Sequence, residues 1–202
     1  MANPAIRRDI PKMNWLERLI RWALITLYRL AGWKAEGQLP SDPKFVIMGA
    51  CHTSNWDFLV FLGTIHALGR QVHFVGKHSL FKWPMGGFMR ALGGVPVDRG
   101  SRQDLVSQIV AQFHAHDDFA LVVAPEGTRS RTTEWKTGFY QIALKAGVPI
   151  VAAGPDYPTR RGVIGPIIRP TGNYEKDLKP AFDFYRTITP RHPERAAFPD
   201  GF

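Results

Sequence analysis

Cysteine is nearly absent from this sequence: Cys51 is the only one in 202 residues. A single cysteine excludes an intrachain disulfide and fits a reducing compartment. Cys51 ends an apolar stretch and precedes a histidine, so a nucleophilic thiol is one interpretation. We favour the other, a small buried side chain, because free cysteines usually behave as buried hydrophobes.

Several landmarks of common functions are also missing. The sequence has no Gly-x-Gly-x-x-Gly, Walker loop or Gly-x-Ser-x-Gly elbow, and no repeats, low-complexity tract or domain linker. In the N-terminal helical pattern the longest uncharged run covers residues 22–28, far short of the roughly 20 residues that span a bilayer. A chain of this length suits one α/β domain with a sizeable core.

Acidic residues are fewer than basic ones in this sequence. The chain has 17 Asp and Glu against 26 Lys and Arg, which gives a net charge of +9. This excess predicts an anionic partner: nucleic acid, an acidic membrane surface or a phosphorylated substrate.

The N-terminal region, residues 1–40, combines basic and apolar residues. Residues 1–11 are typical of a loose basic arm. From about residue 14 to 32, leucines recur at helical spacing among three arginines and two tryptophans, including Arg21 and Trp22, and a third tryptophan, Trp33, follows directly. Such a helix either packs on the core or lies in a membrane interface with its arginines toward anionic head groups. Both interpretations remain open here.

From residue 41 onward, short apolar runs alternate with helical patterns, which predicts an α/β domain over residues 41–202. A loop is predicted around Gly86, and aromatic residues near it indicate core, a channel or a membrane-facing rim. After Tyr174 we expect an irregular or short helical tail. Strands are predicted over residues 44–50, 71–75, 93–99, 119–124, 148–153 and 163–168, and helices after Asp57 and over residues 103–114 and 136–146.

His52 and Asp57 flank the junction between the first of these strands and the following helix. On one continuous helix, positions five apart point about 140° away from each other. A turn before the helix lets His52 fold back, so that Asp57 orients one ring nitrogen and the other takes a proton. Alternatively, His52 is a loop histidine and Asp57 a carboxylate favoured by the helix dipole.

Two further polar clusters follow predicted elements. Residues 125–130 (PEGTRS) follow an apolar strand, where open α/β sheets gather ligands, so Glu126 and Arg129 are candidates for a site and Gly127 permits close backbone approach. A solvated turn with a surface Glu–Arg pair is the alternative. Residues 114–118 (HAHDD) could suggest a metal, but they close a helix and have no partner cluster at ligand spacing, so we expect no metal site.

Four blocks occur in order: His52-x4-Asp57, residues 94–99 (GVPVDR), residues 125–130 (PEGTRS) and residues 148–151 (VPIV). Together they closely resemble the four sequence blocks of the glycerolphosphate acyltransferase family, particularly the bacterial lysophosphatidate acyltransferases of the PlsC type. The resemblance covers about residues 44–155.

The resemblance implies an α/β fold with a mixed sheet and a membrane-associated site on the cytoplasmic face, peripheral or monotopic. It implies transfer of a fatty acyl group from acyl-CoA or acyl carrier protein to a hydroxyl of a lysophospholipid-like acceptor, lysophosphatidate by default, in phospholipid biosynthesis. No cofactor beyond these co-substrates and no metal is implied. The implied catalytic residues are His52 as general base and Asp57 as its partner, and the implied substrate-binding residues are Lys77, Arg99, Glu126, Gly127, Thr128 and Arg129.

Two other functions remain in competition with acyl transfer. A non-catalytic basic module would bind membranes or nucleic acid, although the basic residues are spread through the α/β elements and no nucleic-acid motif is present, so we expect no nucleic-acid partner. A thioesterase or lipid hydrolase would use His52 to activate water instead of a hydroxyl.

Overall fold

Seven strands make up one sheet in the residues that a computed structural model describes, 15–70, 72–97 and 102–202. They are β1 (Lys34–Glu36), β2 (Lys44–Gly49), β3 (His73–Lys77), β4 (Gly94–Val97), β5 (Phe119–Val123), β6 (Ile150–Asp156) and β7 (Arg161–Ile168). Their spatial order is β1-β7-β6-β2-β5-β3-β4. Only β6 and β7 pair antiparallel among these strands. The predicted mixed α/β sheet is confirmed.

Helices cover both faces of the sheet, so its central strands are buried on both sides. Along β2, Phe45 and Ile47 join one apolar cluster and Val46 and Met48 the other, as the two-residue period of a strand requires. The helices are α1 (Trp15–Leu30), α2 (Trp56–Ala67), α3 (Gly86–Ala91), α4 (Arg102–Ala115), α5 (Gly138–Ala146) and α6 (Tyr174–Tyr185), with 3-10 turns at His78–Phe81 and Pro193–Arg195.

Of the two alternatives predicted for the tail, irregular or short helical, the structure shows the helical one. Residues after Tyr174 form α6, whose start is capped by Asn173 accepting from the Lys176 N–H and whose buried face includes Phe182. Pro180 lies inside this helix, so proline content alone was a poor guide here. The predicted loop near Gly86 likewise contains α3, and β1 was not predicted because three residues give no detectable period.

Helix α1 packs on α2 through a very close approach. A Cβ added to Gly63 of α2 would lie 2.2 Å from the Tyr28 ring of α1, and the Tyr28 hydroxyl lies 3.3 Å from Thr64 Oγ1. The opposite side of α1 leaves large apolar side chains exposed: Trp15, Leu16, Leu19, Trp22, Leu27 and Leu30. Within the described residues, every helix is too short or too polar to cross a bilayer.

Candidate active site

The site lies at the carboxyl ends of two neighbouring parallel strands. β2 and β5 pair in register, with Met48 opposite Val123. The turn that follows β2 carries His52, and the turn that follows β5 carries Glu126. Adjacent parallel strands therefore bring together two motifs that are 74 residues apart in the sequence.

His52 and Asp57 form a hydrogen-bonded pair. His52 Nδ1 lies 3.1 Å from Asp57 Oδ2, and the side chain of Asp57 is only 7% exposed while that of His52 is 31% exposed. A turn at residues 52–55 precedes α2 and lets the imidazole fold back over the helix start, as the five-residue spacing requires. Because an ionised carboxylate only accepts, Nδ1 carries the proton and Nε2 presents its lone pair.

The carboxylate of Asp57 is held by four donors. Oδ2 also accepts from the backbone N–H groups of Thr53 and Ser54, both at 2.9 Å, and Oδ1 accepts from the Tyr157 hydroxyl at 2.7 Å. Burial by itself would raise the pKa of Asp57, but the hydrogen bonds from His52, Tyr157 and Ser54 outweigh it and lower that pKa below its usual value. Asp57 therefore stays ionised beside His52.

Helix α2 starts in a way that the sequence did not indicate. Asn55 occupies the N-cap position but makes no capping hydrogen bond with its side chain. Instead, Ser54 Oγ accepts from the Trp56 N–H at 3.2 Å. The Asn55 side chain is used elsewhere, since its Oδ1 accepts from the Arg129 guanidinium.

Glu126 supports the histidine turn from the neighbouring strand. Its Oε1 accepts from the backbone N–H of His52 at 2.9 Å, whereas its buried Oε2 has no hydrogen-bond partner among the described residues. Burial, reinforced by the nearby charge of Asp57, raises the pKa of Glu126 from 4.5 to about 7. The alternative of a solvated surface pair does not describe Glu126, which is 8% exposed, while the Arg129 guanidinium bonds to Asn55.

The remaining residues of the second motif line the mouth of the site. Gly127 has φ +63°, and a Cβ there would lie 2.6 Å from Lys136 Nζ, so the turn needs a glycine. Thr128 Oγ1 accepts from the Ser130 N–H at 3.2 Å, which holds the loop locally. Arg129 is exposed and reaches across to Asn55 at the start of α2.

Two of the predicted phosphate ligands cannot be placed. Arg99 lies outside the described residues, and so does the side chain of Lys77, whose backbone ends β3. Both stay predictions. The backbone of β3 and β4 pairs Lys77 with Val97, two residues before Arg99.

A cavity of about 1180 Å³ opens beside the pair. His52, Asp57 and Arg129 lie along it together with Gly127 and Thr128. Apolar side chains of α2 and of the sheet form much of its wall, among them Phe58, Phe61, Ile65, Phe74, Val122 and Ile164. The cavity can therefore accept a long apolar group next to a polar, cationic mouth.

A segment near the carboxyl terminus also reaches the site, which the sequence did not reveal. The His192 N–H donates to Thr53 Oγ1 at 3.3 Å, and the Arg191 guanidinium lies 5.4 Å from the centre of the Trp56 ring. Tyr157, at the turn after β6, contacts Asp57 itself. None of these residues belongs to a recognisable motif, so no sequence signal singled them out.

Comparison with known proteins identifies the family. The model of the Acyltransferase family matches residues 34–154. The 1-acyl-sn-glycerol-3-phosphate acyltransferase of Haemophilus influenzae is 33% identical over 135 residues, which is 62% of this chain and 55% of that protein. The protein of the same name from Escherichia coli is 31% identical over 132 residues, 60% of this chain and 52% of that protein. The chain thus spans about half the length of these relatives.

The fold has a counterpart among solved structures. The crystal structure of the 1-acyl-sn-glycerophosphate acyltransferase PlsC from Thermotoga maritima superimposes with a TM-score of 0.60 over 85% of this chain and 78% of that one, at 21% sequence identity. The matched family segment contains the turns of both strands, with His52, Asp57, Glu126 and Arg129. The resemblance predicted from four short blocks is confirmed: the chain belongs to the acyltransferase family.

Proposed function

We propose that this protein transfers a fatty acyl group from a thioester donor to a hydroxyl of a lysophospholipid, with lysophosphatidate as the acceptor. The observation that carries the proposal is the His52–Asp57 pair, which uses Nδ1 of the ring and lines a large cavity with apolar walls. The names of the relatives from Haemophilus influenzae and Escherichia coli support the choice of acceptor. The donor is acyl-CoA or acyl carrier protein.

In the proposed mechanism, His52 Nε2 accepts the proton of the acceptor hydroxyl as that oxygen attacks the thioester carbonyl. Asp57 stabilises the imidazolium that forms, because its own carboxylate stays ionised. The tetrahedral intermediate then collapses, the C–S bond breaks and the imidazolium returns its proton to the leaving thiolate. The products are an ester and a free thiol, and the activated thioester makes a covalent enzyme intermediate unnecessary.

Arg129 is the cation best placed to hold the acceptor phosphate. It is exposed, lines the cavity and is joined through Asn55 to the start of the helix that carries Asp57. A guanidinium fork binds phosphate through two hydrogen bonds, which would fix the hydroxyl relative to His52. Glu126, Gly127 and Thr128 would shape this pocket, with Lys77 and Arg99 as further phosphate ligands.

We propose that the partner surface is an anionic membrane and that the association is peripheral or monotopic on its cytoplasmic side. Two sets of exposed apolar side chains support this: those of α1 and those around the 3-10 turn, where Trp83 is 94% exposed beside Leu80 and Met85. No Asp or Glu occurs in the sequence between Phe58 and Val97, so the second set lies within a uniformly cationic part of the chain.

Product analysis by mass spectrometry tests the proposed reaction. Purified protein is mixed with acyl-CoA, or separately with acyl carrier protein, and with a panel of lysolipids in vesicles. We expect a new diacyl product with lysophosphatidate, which His52→Ala does not form although it folds normally.

Other results would redirect the assignment. Acceptor-independent release of free fatty acid would indicate a thioesterase or lipid hydrolase. Vesicle binding without any product from either donor would indicate a non-catalytic membrane-binding module.

A further inference from the structure

Tyr157 lies outside the segment that the family model matches, yet its hydroxyl donates to Asp57 Oδ1 at 2.7 Å. Three donors already occupy Oδ2 of this carboxylate, and Tyr157 supplies a donor to the other oxygen. With both oxygens held, the carboxylate cannot rotate about its Cβ–Cγ bond without losing hydrogen bonds to buried groups.

The tyrosine is itself fixed by surrounding contacts. Its backbone N–H donates to the Thr189 carbonyl at 2.9 Å, and the Thr189 N–H donates back to Asp156 Oδ1 at 2.9 Å. The Trp33 ring packs edge-on against the Tyr157 ring at 5.0 Å, and the Arg191 guanidinium lies 5.9 Å from the centre of the same ring. A donor held on several sides is suited to orient its acceptor.

Burial and the hydrogen bond to Asp57 raise the pKa of Tyr157 well above its usual value. The phenol therefore remains protonated throughout the pH range in which an acyltransferase operates, and it can only donate to an ionised Asp57. Charge-assisted bonds of this kind are stronger than neutral ones.

We propose that Tyr157 is a positioning residue for the proposed acyl transfer: it holds Asp57 Oδ1 so that Oδ2 faces His52 Nδ1, and the segment around Thr189 and Arg191 holds Tyr157 in place. This inference rests on the proposed function, since it assigns Tyr157 an effect on the histidine that takes the proton. In this role Tyr157 acts through Asp57, since it is not among the residues that line the cavity.

The chain provides a matched control for this interaction. Tyr140 also donates to an aspartate, Asp177 Oδ2, at 2.7 Å, and it lies outside both the dyad and the cavity lining. Tyr157→Phe and Tyr140→Phe each delete one tyrosine–aspartate hydrogen bond and keep the ring, and Tyr140→Phe also removes the acceptor of the Gly172 N–H at 3.0 Å, so it is the more severe deletion. Only the first deletion affects the carboxylate that contacts His52.

Steady-state kinetics of the full chain with acyl donor and lysophosphatidate provide the first readout. We expect Tyr157→Phe to lower kcat about tenfold, the size of one hydrogen bond to a charged group, with both KM values nearly unchanged. In an Asp57→Asn background, Tyr157→Phe should lower kcat little further, because Tyr157 and Asp57 act through the same hydrogen bond. Tyr140→Phe should leave kcat unchanged. Wild-type kcat in Tyr157→Phe, or equal losses in the two backgrounds, would overturn the proposal.

Carbon-13 NMR of Asp57 gives a second readout that needs no activity. The Asp57 pKa should be higher in Tyr157→Phe than in the wild type, and an unchanged pKa would overturn the inference even if the wild type proves inactive. If the wild type is inactive but the Asp57 pKa still rises in Tyr157→Phe, the proposed function is rejected. The hydrogen bond from Tyr157 to Asp57 and its effect on the Asp57 charge are then still supported. Should Tyr157→Phe not fold, slow exchange of the Tyr157 hydroxyl proton in the wild type supports the bond, and fast exchange overturns it.

Discussion

Asp57 shows at the scale of single residues how much one carboxylate can organise. Its side chain accepts four hydrogen bonds, three of them on the oxygen that faces His52. In the proposed mechanism, an ionised aspartate both fixes the histidine tautomer and stabilises the charge that appears on the ring. An amide of the same shape can do neither fully.

Asp57→Asn should therefore lower kcat for acyl transfer by about 100-fold or more, with little change in the KM for lysophosphatidate. The amide has no negative charge to stabilise the imidazolium. Its NH₂ group must also face one of the groups that now donate a hydrogen bond to Asp57. Steady-state rates at saturating donor measure this effect, and Asp177→Asn is the control because that residue lies on α6. A change confined to KM would be inconsistent with the role of Asp57.

Glu126 predicts a pH-dependent stability. Its pKa in the folded protein, about 7, lies above the ordinary 4.5, so the folded state keeps a proton that the unfolded chain has released between these values. Stability consequently falls as the pH rises through this window, by on the order of 3 kcal/mol once Glu126 is ionised.

Glu126→Gln keeps an oxygen for the His52 N–H and removes the charge. We expect its Tm to exceed that of the wild type well above pH 7 and to match it near pH 4.5. Thermal unfolding at both pH values checks this. A difference in Tm that does not change with pH would contradict the buried-charge explanation.

At the scale of elements, the contact between α1 and α2 depends on the absence of one side chain. Gly63 faces the Tyr28 ring so closely that any Cβ must displace it. Gly63→Ala should destabilise the protein by about 1–3 kcal/mol despite the better helix propensity of alanine, with a fall in Tm of several degrees. Gly138→Ala is the control, because nothing lies within 4 Å of its added Cβ. Equal Tm values for the two variants would show that α1 and α2 can move apart without loss of stability, and the close contact at Gly63 would then not be required.

The elements also show which parts of the fold the sequence could predict. Strands such as β2 and β5 were predictable because continuous apolar runs are typical of strands buried on both faces. The pairing of His52 with Asp57 was one of two interpretations of their five-residue spacing, and the structure shows that pairing. Helix α6 was predicted only as one of two alternatives, because Pro180 and many charges conceal the apolar face that it buries.

The contact of Tyr157 with Asp57 was not predictable from spacing. The two residues are 100 positions apart, and nothing in the sequence indicates that the turn after β6 meets the turn after β2. The same holds for Glu126, whose orientation toward the His52 backbone depends on the neighbouring placement of β2 and β5. Long-range contacts of this kind depend on topology, which local periodicity does not encode.

At the scale of the whole molecule, net charge and exposed apolar groups predict how the protein meets a membrane. Binding to vesicles that contain phosphatidylglycerol should weaken as salt rises, since the +9 charge is screened. Trp83→Ala should weaken binding a further tenfold or so, because about 1.4 kcal/mol of apolar burial is lost. Vesicle sedimentation measures both effects.

Ile167→Ala is the matched control, since this side chain is 47% exposed but belongs to neither apolar set. If the two substitutions weaken binding equally, the loss reflects general hydrophobicity and the assignment of Trp83 to the membrane-facing surface is wrong. If salt has no effect, the association does not depend on charge.

The two outermost strands of the sheet have a consequence for how copies of this chain meet each other. An open sheet edge offers unpaired backbone groups on which another chain can build, the first step toward aggregation. Here β1 is three residues long and carries Lys34 and Glu36, while β4 has four residues and includes Pro96, which has no N–H to donate. Both edges are thus poor templates for strand addition, which protects the protein against fibrillar self-association wherever its copies are crowded together.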